Sequence, residues 1–138
     1  MTKQIFVNQP VKDLKRSKDF FAALGYAFNP QFTDDNAACM VISEEIYAML
    51  LVEPFFKSFT QKEIADSSKS VEMIVALSAG SRNEVDDMLN KALKAGATEP
   101  KPAEDHGWMY SRSFFDLDGH HWEYVYMDME ALSKTQQG

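Results

Sequence analysis

Phe115-Asp116-Leu117-Asp118-Gly119-His120-His121-Trp122-Glu123-Tyr124-Val125-Tyr126 decides how this chain folds. Asp118-Gly119 is a hairpin signal, because a tight turn needs positive φ and glycine supplies it at little steric cost. Ser113 to Phe115 reads as the incoming strand. His121 to Met127 reads as the outgoing one, rich in aromatic and β-branched residues. Side chains alternate faces along a strand, so His121, Glu123 and Val125 share one face. Trp122, Tyr124 and Tyr126 share the other, and their bulk calls for a covering helix. The first face sets an imidazole and a carboxylate among apolar neighbours, and a pocket is expected there.

Upstream of this hairpin, Met109 to Phe115 extends its first strand and Val71 to Ser78 reads as another. Between them Ser81 and Glu84 make a capping box. The helix that follows carries Val85, Met88, Leu89, Ala92 and Leu93 at helical spacing and ends at Gly96. Thr98-Glu99 is expected to add a short strand. The same order occurs earlier. Ile5 to Val11 is a strand, Asp13 caps a helix from Leu14 to Leu24, and Gly25 ends it. Strands then fall at 26–30, 37–43 and 47–52. Gly25 and Gly96 mark a repeat of about 70 residues, too long for a solenoid unit. The chain therefore reads as an α+β fold of two βαβββ modules in one domain, residues 1–130. Module one covers about 4–53 and module two about 71–128.

Residues 54–70 break the pattern. Phe55, Phe56 and Phe59 form an aromatic cluster, and Thr60-Gln61-Lys62-Glu63 resembles a capping box opening a short helix. The segment is either a lid over a pocket or a connector whose phenylalanines fill the core. The polar tail, 131–138, is expected to fray.

Composition narrows the function. The net charge is −7 with no Lys/Arg patch, so no nucleic acid is expected as a partner. No apolar run is long enough for a signal peptide or a membrane span, so no membrane partner is expected. Cys39 is the single cysteine and has no internal partner, which points to a reducing cytoplasm. It lies in the apolar run 37–42 and reads as a buried inert thiol.

Pro10-Val11-Lys12-Asp13-Leu14, with Ser17 and Phe20-Phe21 before Leu24-Gly25, together with Asp116-Leu117-Asp118-Gly119-His120 and Trp122-Glu123, resembles the vicinal oxygen chelate superfamily. That group includes glyoxalase I, extradiol dioxygenases, and bleomycin- and fosfomycin-resistance proteins. The resemblance implies a glyoxalase-like fold, in which two modules form an incomplete barrel around a cleft, and it implies a homodimer. In metal-dependent members four strands each give one His, Gln or Glu to a divalent ion that acts as a Lewis acid. Carried over one residue at a time, those positions fall at Phe6, Leu50, Ile74 and Glu123. Only Glu123 matches. Hydrocarbon has no lone pair, and one carboxylate does not hold Zn²⁺, Fe²⁺ or Ni²⁺ against water. No metal or other cofactor is therefore expected. The fallback is a displaced site on the same strand faces, from Asn8, Glu72 and His121 with Glu123.

Glu123 reads either as an unpaired pocket carboxylate fit for general acid or base catalysis or as a relic paired with His121 or Arg112. Tyr110 and Arg112 share a strand face, where Arg112 either holds a ligand's carboxylate or phosphate or forms a salt bridge. His120 is expected to hold the hairpin. The expected ligand-binding set is Phe6, Asn8, Leu50, Ile74, Tyr110, Arg112, His121 and Glu123. The expected function is the binding of a small, largely apolar molecule in the inter-module cleft. The alternatives are a metal-dependent lyase, isomerase or dioxygenase, and a metal-free enzyme using Glu123 as base.

Overall fold

The hairpin and helix signals are realised in a computed structural model that describes residues 2–137. The chain divides into two compact units, Met1–Asp66 and Ser67–Gly138. In the first, β1 (Ile5–Val11) leads to α1 (Leu14–Ala23). The Asp13 carboxylate caps α1 by accepting from the Arg16 backbone N–H at 3.0 Å. Gly25, at φ +102°, lets the chain leave the helix. Then come β2 (Ala27–Phe28), a short 3-10 turn at Pro30–Phe32, β3 (Ala37–Ser43) and β4 (Ile46–Val52). The sheet order is β1-β4-β3-β2, with β1 parallel to β4 and the other pairs antiparallel. Leu14, Ser17, Phe20 and Phe21 are the buried stripe of α1. They come from the hydrophobic spacing read in the sequence, and each fully buried Leu or Phe contributes about 1.5–3 kcal/mol.

The second unit repeats this plan. β5 (Ile74–Ser78) leads to α3 (Arg82–Lys94), then β6 (Glu104–Asp105), β7 (Met109–Phe115) and β8 (His121–Met127). Its order is β5-β8-β7-β6, with β5 parallel to β8 and the rest antiparallel. Ser81 accepts from the Glu84 N–H at 3.0 Å, while the Glu84 carboxylate reaches back to the Gly80 N–H. Val85, Leu89 and Ala92 are wholly buried. The fold is thus α+β, two mixed four-stranded sheets each backed by its own helix.

Three expectations need correcting. The fourth strand of module two is not Thr98-Glu99. Thr98 makes only an isolated bridge to Phe115, and the sheet edge is β6, where Glu104 and Asp105 pair with Ser111 and Tyr110. No helix opens at Thr60. The helix in that region is α2 (Glu53–Lys57), which carries Pro54 in its first turn. The Thr60 hydroxyl accepts from the Lys62 N–H, two residues on rather than three, so it closes a local turn instead of capping a helix. The tail does not fray at 131: α4 spans Met129–Gln137. The Asp128 carboxylate accepts from the Ala131 N–H at 3.0 Å and caps it. Gly138 lies outside the described residues.

Among the described residues, no helix is long and apolar enough to cross a membrane.

Candidate functional site

Strand register assigns every candidate side chain to a face. In the first sheet Phe6 pairs with Tyr47, Asn8 with Met49 and Pro10 with Leu51. Met49 in turn faces Cys39 across β3. These residues share the face that α1 does not cover. The alternate set, Gln9, Leu50, Ala38, Met40 and Ala48, lies on the helix side and is buried. Leu50, only 1% exposed, therefore belongs to the core and not to the face of Phe6. The expectation for Leu50 is one residue out, because a one-residue slip along a strand reverses the face. The residue beside Asn8 is Met49.

Phe6 is 50% exposed. Its ring stacks on Tyr47 with centroids 4.9 Å apart and planes 10° from parallel. The Asn8 amide turns back to donate to the Phe6 carbonyl at 3.1 Å. Cys39 is buried on this same face, and burial pushes its thiol pKa up, which fits the inert thiol expected.

In the second sheet the hairpin forms as read. Gly119 has φ +88°, and its N–H donates to the Asp116 carbonyl at 3.0 Å. Asp116 is the organiser. Its carboxylate accepts from the backbone N–H groups of Asp118 and His120 at 2.9 and 3.0 Å and from the Trp122 indole at 2.9 Å. Burial pushes its pKa up; the His120 charge and these hydrogen bonds oppose that rise. His120 thus ties down the hairpin, as expected. Ser67 donates its hydroxyl to the Asp118 carbonyl at 2.6 Å, fixing the segment before β5 against the turn.

Ile74 pairs with His121 and Ala76 with Glu123 on one side of β8. On the other side Phe115 pairs with His121 and Ser113 with Glu123. All share the face away from α3. Ile74 is 49% exposed. The Phe115 ring meets the His121 ring edge-on at 5.1 Å. His121 has its pKa lowered, chiefly by desolvation; Glu123 raises it and Lys101 lowers it, which also places both charges within electrostatic range of the imidazole. Glu72 is exposed and precedes β5, outside the strand.

Tyr110 and Arg112 lie on the opposite, helix-covered face, so the sheet separates them from His121 and Glu123. The Tyr110 hydroxyl donates to Asp86 of α3 at 2.7 Å. Arg112 donates to the same carboxylate at 3.0 Å and grips Glu99 through two further bonds of 2.9 and 3.0 Å. The Glu99 hydrogen bond leads in holding Arg112 well above the usual guanidinium range. Asp86 is lowered, first by the Tyr110 hydroxyl and then by Arg112. Of the two readings of Arg112, the salt bridge is the one realised. The depression of about 530 Å³ beside it, along residues 99–103, is lined by charges already paired.

Among the described residues no three His, Cys, Asp or Glu side chains are grouped to hold a metal ion, so Glu72, His121 and Glu123 do not form a cluster. The donor chemistry does not fit a divalent ion either. The positions at which the resemblance read from the motifs would place metal ligands present Phe6, Ile74 and Glu123, with Met49 in place of Leu50 on the face of β4 away from α1. Two hydrocarbons, a thioether and one carboxylate do not make such a site.

The geometry of two repeated modules has clear counterparts. A bleomycin resistance protein-like N-terminal family model matches residues 3–43. No curated protein matches the chain. Among solved structures, the hypothetical protein SA1046 from S. aureus is 27% identical, with 91% of this chain and 95% of that one covered and a TM-score of 0.77. A glyoxalase/bleomycin resistance protein/dioxygenase family enzyme from Burkholderia phytofirmans has the same TM-score, 0.77, at 13% identity, with 91% and 99% covered. The fosfomycin resistance protein FosX from Listeria monocytogenes, solved with Mn(II) and sulfate ion, reaches 0.70 at 18% identity, with 99% and 98% covered. The chain shares the two-module, glyoxalase-like fold of these neighbours. The N-terminal match and these neighbours support the glyoxalase/bleomycin-resistance-like family read from its motifs.

Sequence reading missed Ser113, Lys101 and Asp116. Strand parity from Glu123 would have found Ser113, and the Asx pattern of Asp116 to Asp118 would have found the turn's organiser. Nothing in the sequence placed Lys101 near Glu123.

Proposed function

We propose that this protein binds a small, largely apolar molecule on the sheet faces that its helices leave uncovered, with no catalytic metal, and that it works as a homodimer. The observation that carries this reading is the half-exposed Phe6 ring stacked on Tyr47. It stands where metal-dependent relatives place a ligand, and it offers a flat apolar surface. The half-buried Met49 side chain extends that surface with a polarizable thioether. In the second unit the face away from α3 carries Glu123 and His121, a more polar surface of its own. The metalloenzyme alternative draws its support from the FosX neighbour, and the donor set argues against it.

The test is titration with N-phenyl-1-naphthylamine, a neutral apolar fluorophore, with metal analysis of protein purified without chelators. Saturable binding, weakened about tenfold in Phe6→Arg, is expected. No change in the unfolding midpoint is expected with added Ni²⁺ or Zn²⁺. About one ion per chain, lost in Glu123→Ala, overturns the reading.

A further inference from the structure

On the face of the second sheet away from α3, two buried polar atoms have no hydrogen-bond partner among the described residues. They are the Ser113 hydroxyl oxygen and the His121 Nε2, both shut off from solvent. Ser113 is 1% exposed. A buried polar group left unmade costs about 1–3 kcal/mol, so two on one face call for an explanation. Register brings them together. Ser113 lies opposite Glu123 and Phe115 opposite His121, which makes Ser113 and His121 diagonal cross-strand neighbours. Diagonal neighbours sit roughly 7 Å apart at the backbone, and one polar atom of a guest spans that gap. Phe115 sets the tilt of the imidazole through its edge-on contact at 5.1 Å.

From these two unmatched atoms we infer that the second unit recognises the hydroxyl group of a neutral alcohol or phenol on an otherwise apolar molecule. The inference rests on the binding reading above and names the class of ligand for it. A hydroxyl is the natural fit because it donates and accepts at once. It satisfies Ser113 and His121 whichever nitrogen of the ring carries the proton. A carbonyl only accepts and leaves one atom unmet if the imidazole presents a lone pair. A carboxylate brings a second negative charge beside Glu123. The ammonium of Lys101 is already taken by Glu104 at 2.6 Å and does not offset that repulsion.

The experiment compares 1-naphthol, naphthalene and 1-naphthoate by titration of the full chain. Wild-type protein is expected to bind 1-naphthol about tenfold more tightly than naphthalene, with 1-naphthoate weaker than 1-naphthol. Ser113→Ala and His121→Phe are each expected to bring the naphthol-to-naphthalene ratio close to one. His121→Phe retains a ring against Phe115, so it decides the matter if Ser113→Ala fails to fold. A ratio unchanged in the variants overturns this inference alone and assigns both atoms to internal water. Tighter binding of 1-naphthoate overturns the ligand class. Failure of naphthalene and 1-naphthol alike removes the binding reading and this inference together.

Discussion

The two sheets share strand order and polarity, yet their uncovered faces differ. The first presents Phe6, Tyr47 and Met49, with Cys39 buried beneath them on the same face. The second presents Ser111, Ser113, His121 and Glu123, with the serines deeply buried. Their helix-covered sides are alike in kind: α1 buries Phe20 and Phe21, and α3 buries Val85, Leu89 and Ala92. The repeat is thus held where close packing constrains it, and it diverges where only a ligand or another surface makes demands.

The sharpest way to break this comparison is to test which side of β4 is which. Leu50→Asp puts an unpaired carboxylate in the core of the first unit and is expected to cost about 3–5 kcal/mol, enough to unfold a marginal domain. Met49→Asp, one residue earlier on the other face, is expected to fold with less than about a third of that loss. Urea unfolding of both variants checks it. Equal losses erase the distinction between faces. Next in size is the hairpin glycine. A Cβ on Gly119 meets the Ser67 carbonyl oxygen at 2.6 Å at a φ of +88°, while Gly25 at φ +102° has nothing within 4 Å. Gly119→Ala is expected to cost about 2–3 kcal/mol and Gly25→Ala about 1 kcal/mol, measured as the difference in unfolding free energy.

These contrasts also explain what was readable in advance. Helix stripes, caps and glycine stops are local, so Asp13, Gly25, Ser81 and Gly96 located both modules. β7 and β8 were legible to the residue because alternation and the Asp-Gly turn agree. Leu50 was misplaced because β4 is apolar on both faces, and an unbroken run of Tyr47-Ala48-Met49-Leu50-Leu51 carries no parity signal. Tyr110 and Arg112 lie outside the expected pocket because the hairpin register, Ser113 opposite Glu123, sets both on the other face. β6 was missed because two residues, Glu104 and Asp105, hold an edge by pairing with β7, not by propensity. That the Ser113 hydroxyl oxygen and the His121 Nε2 lack a hydrogen-bond partner among the described residues is a tertiary fact that no window of sequence contains.

The smallest effect sharpens the comparison on the helix side. Only the second unit supports its helix with the Asp86, Glu99, Tyr110 and Arg112 network; the Lys15–Asp19 pair of α1 is fully in solvent and worth little. Arg112→Met leaves Glu99 without its fork and is expected to cost about 2 kcal/mol at pH 7, and Tyr110→Phe about 1 kcal/mol. The pH dependence has a definite sign. Asp86 is held below its ordinary value of 3.8, so its contribution is present above that value and is lost as pH falls through the lowered pKa. The loss caused by Tyr110→Phe, its largest partner, is therefore expected to be greater at pH 7 than near pH 3. Asp116 shifts the other way and favours the folded state at low pH, but it is common to wild type and variant and cancels in their difference. Denaturation of both proteins at the two pH values reads this directly. A difference that grows on acidification contradicts the Tyr110–Asp86 bond as the source, and with it the view that this polar network adds to the hydrocarbon packing of α3.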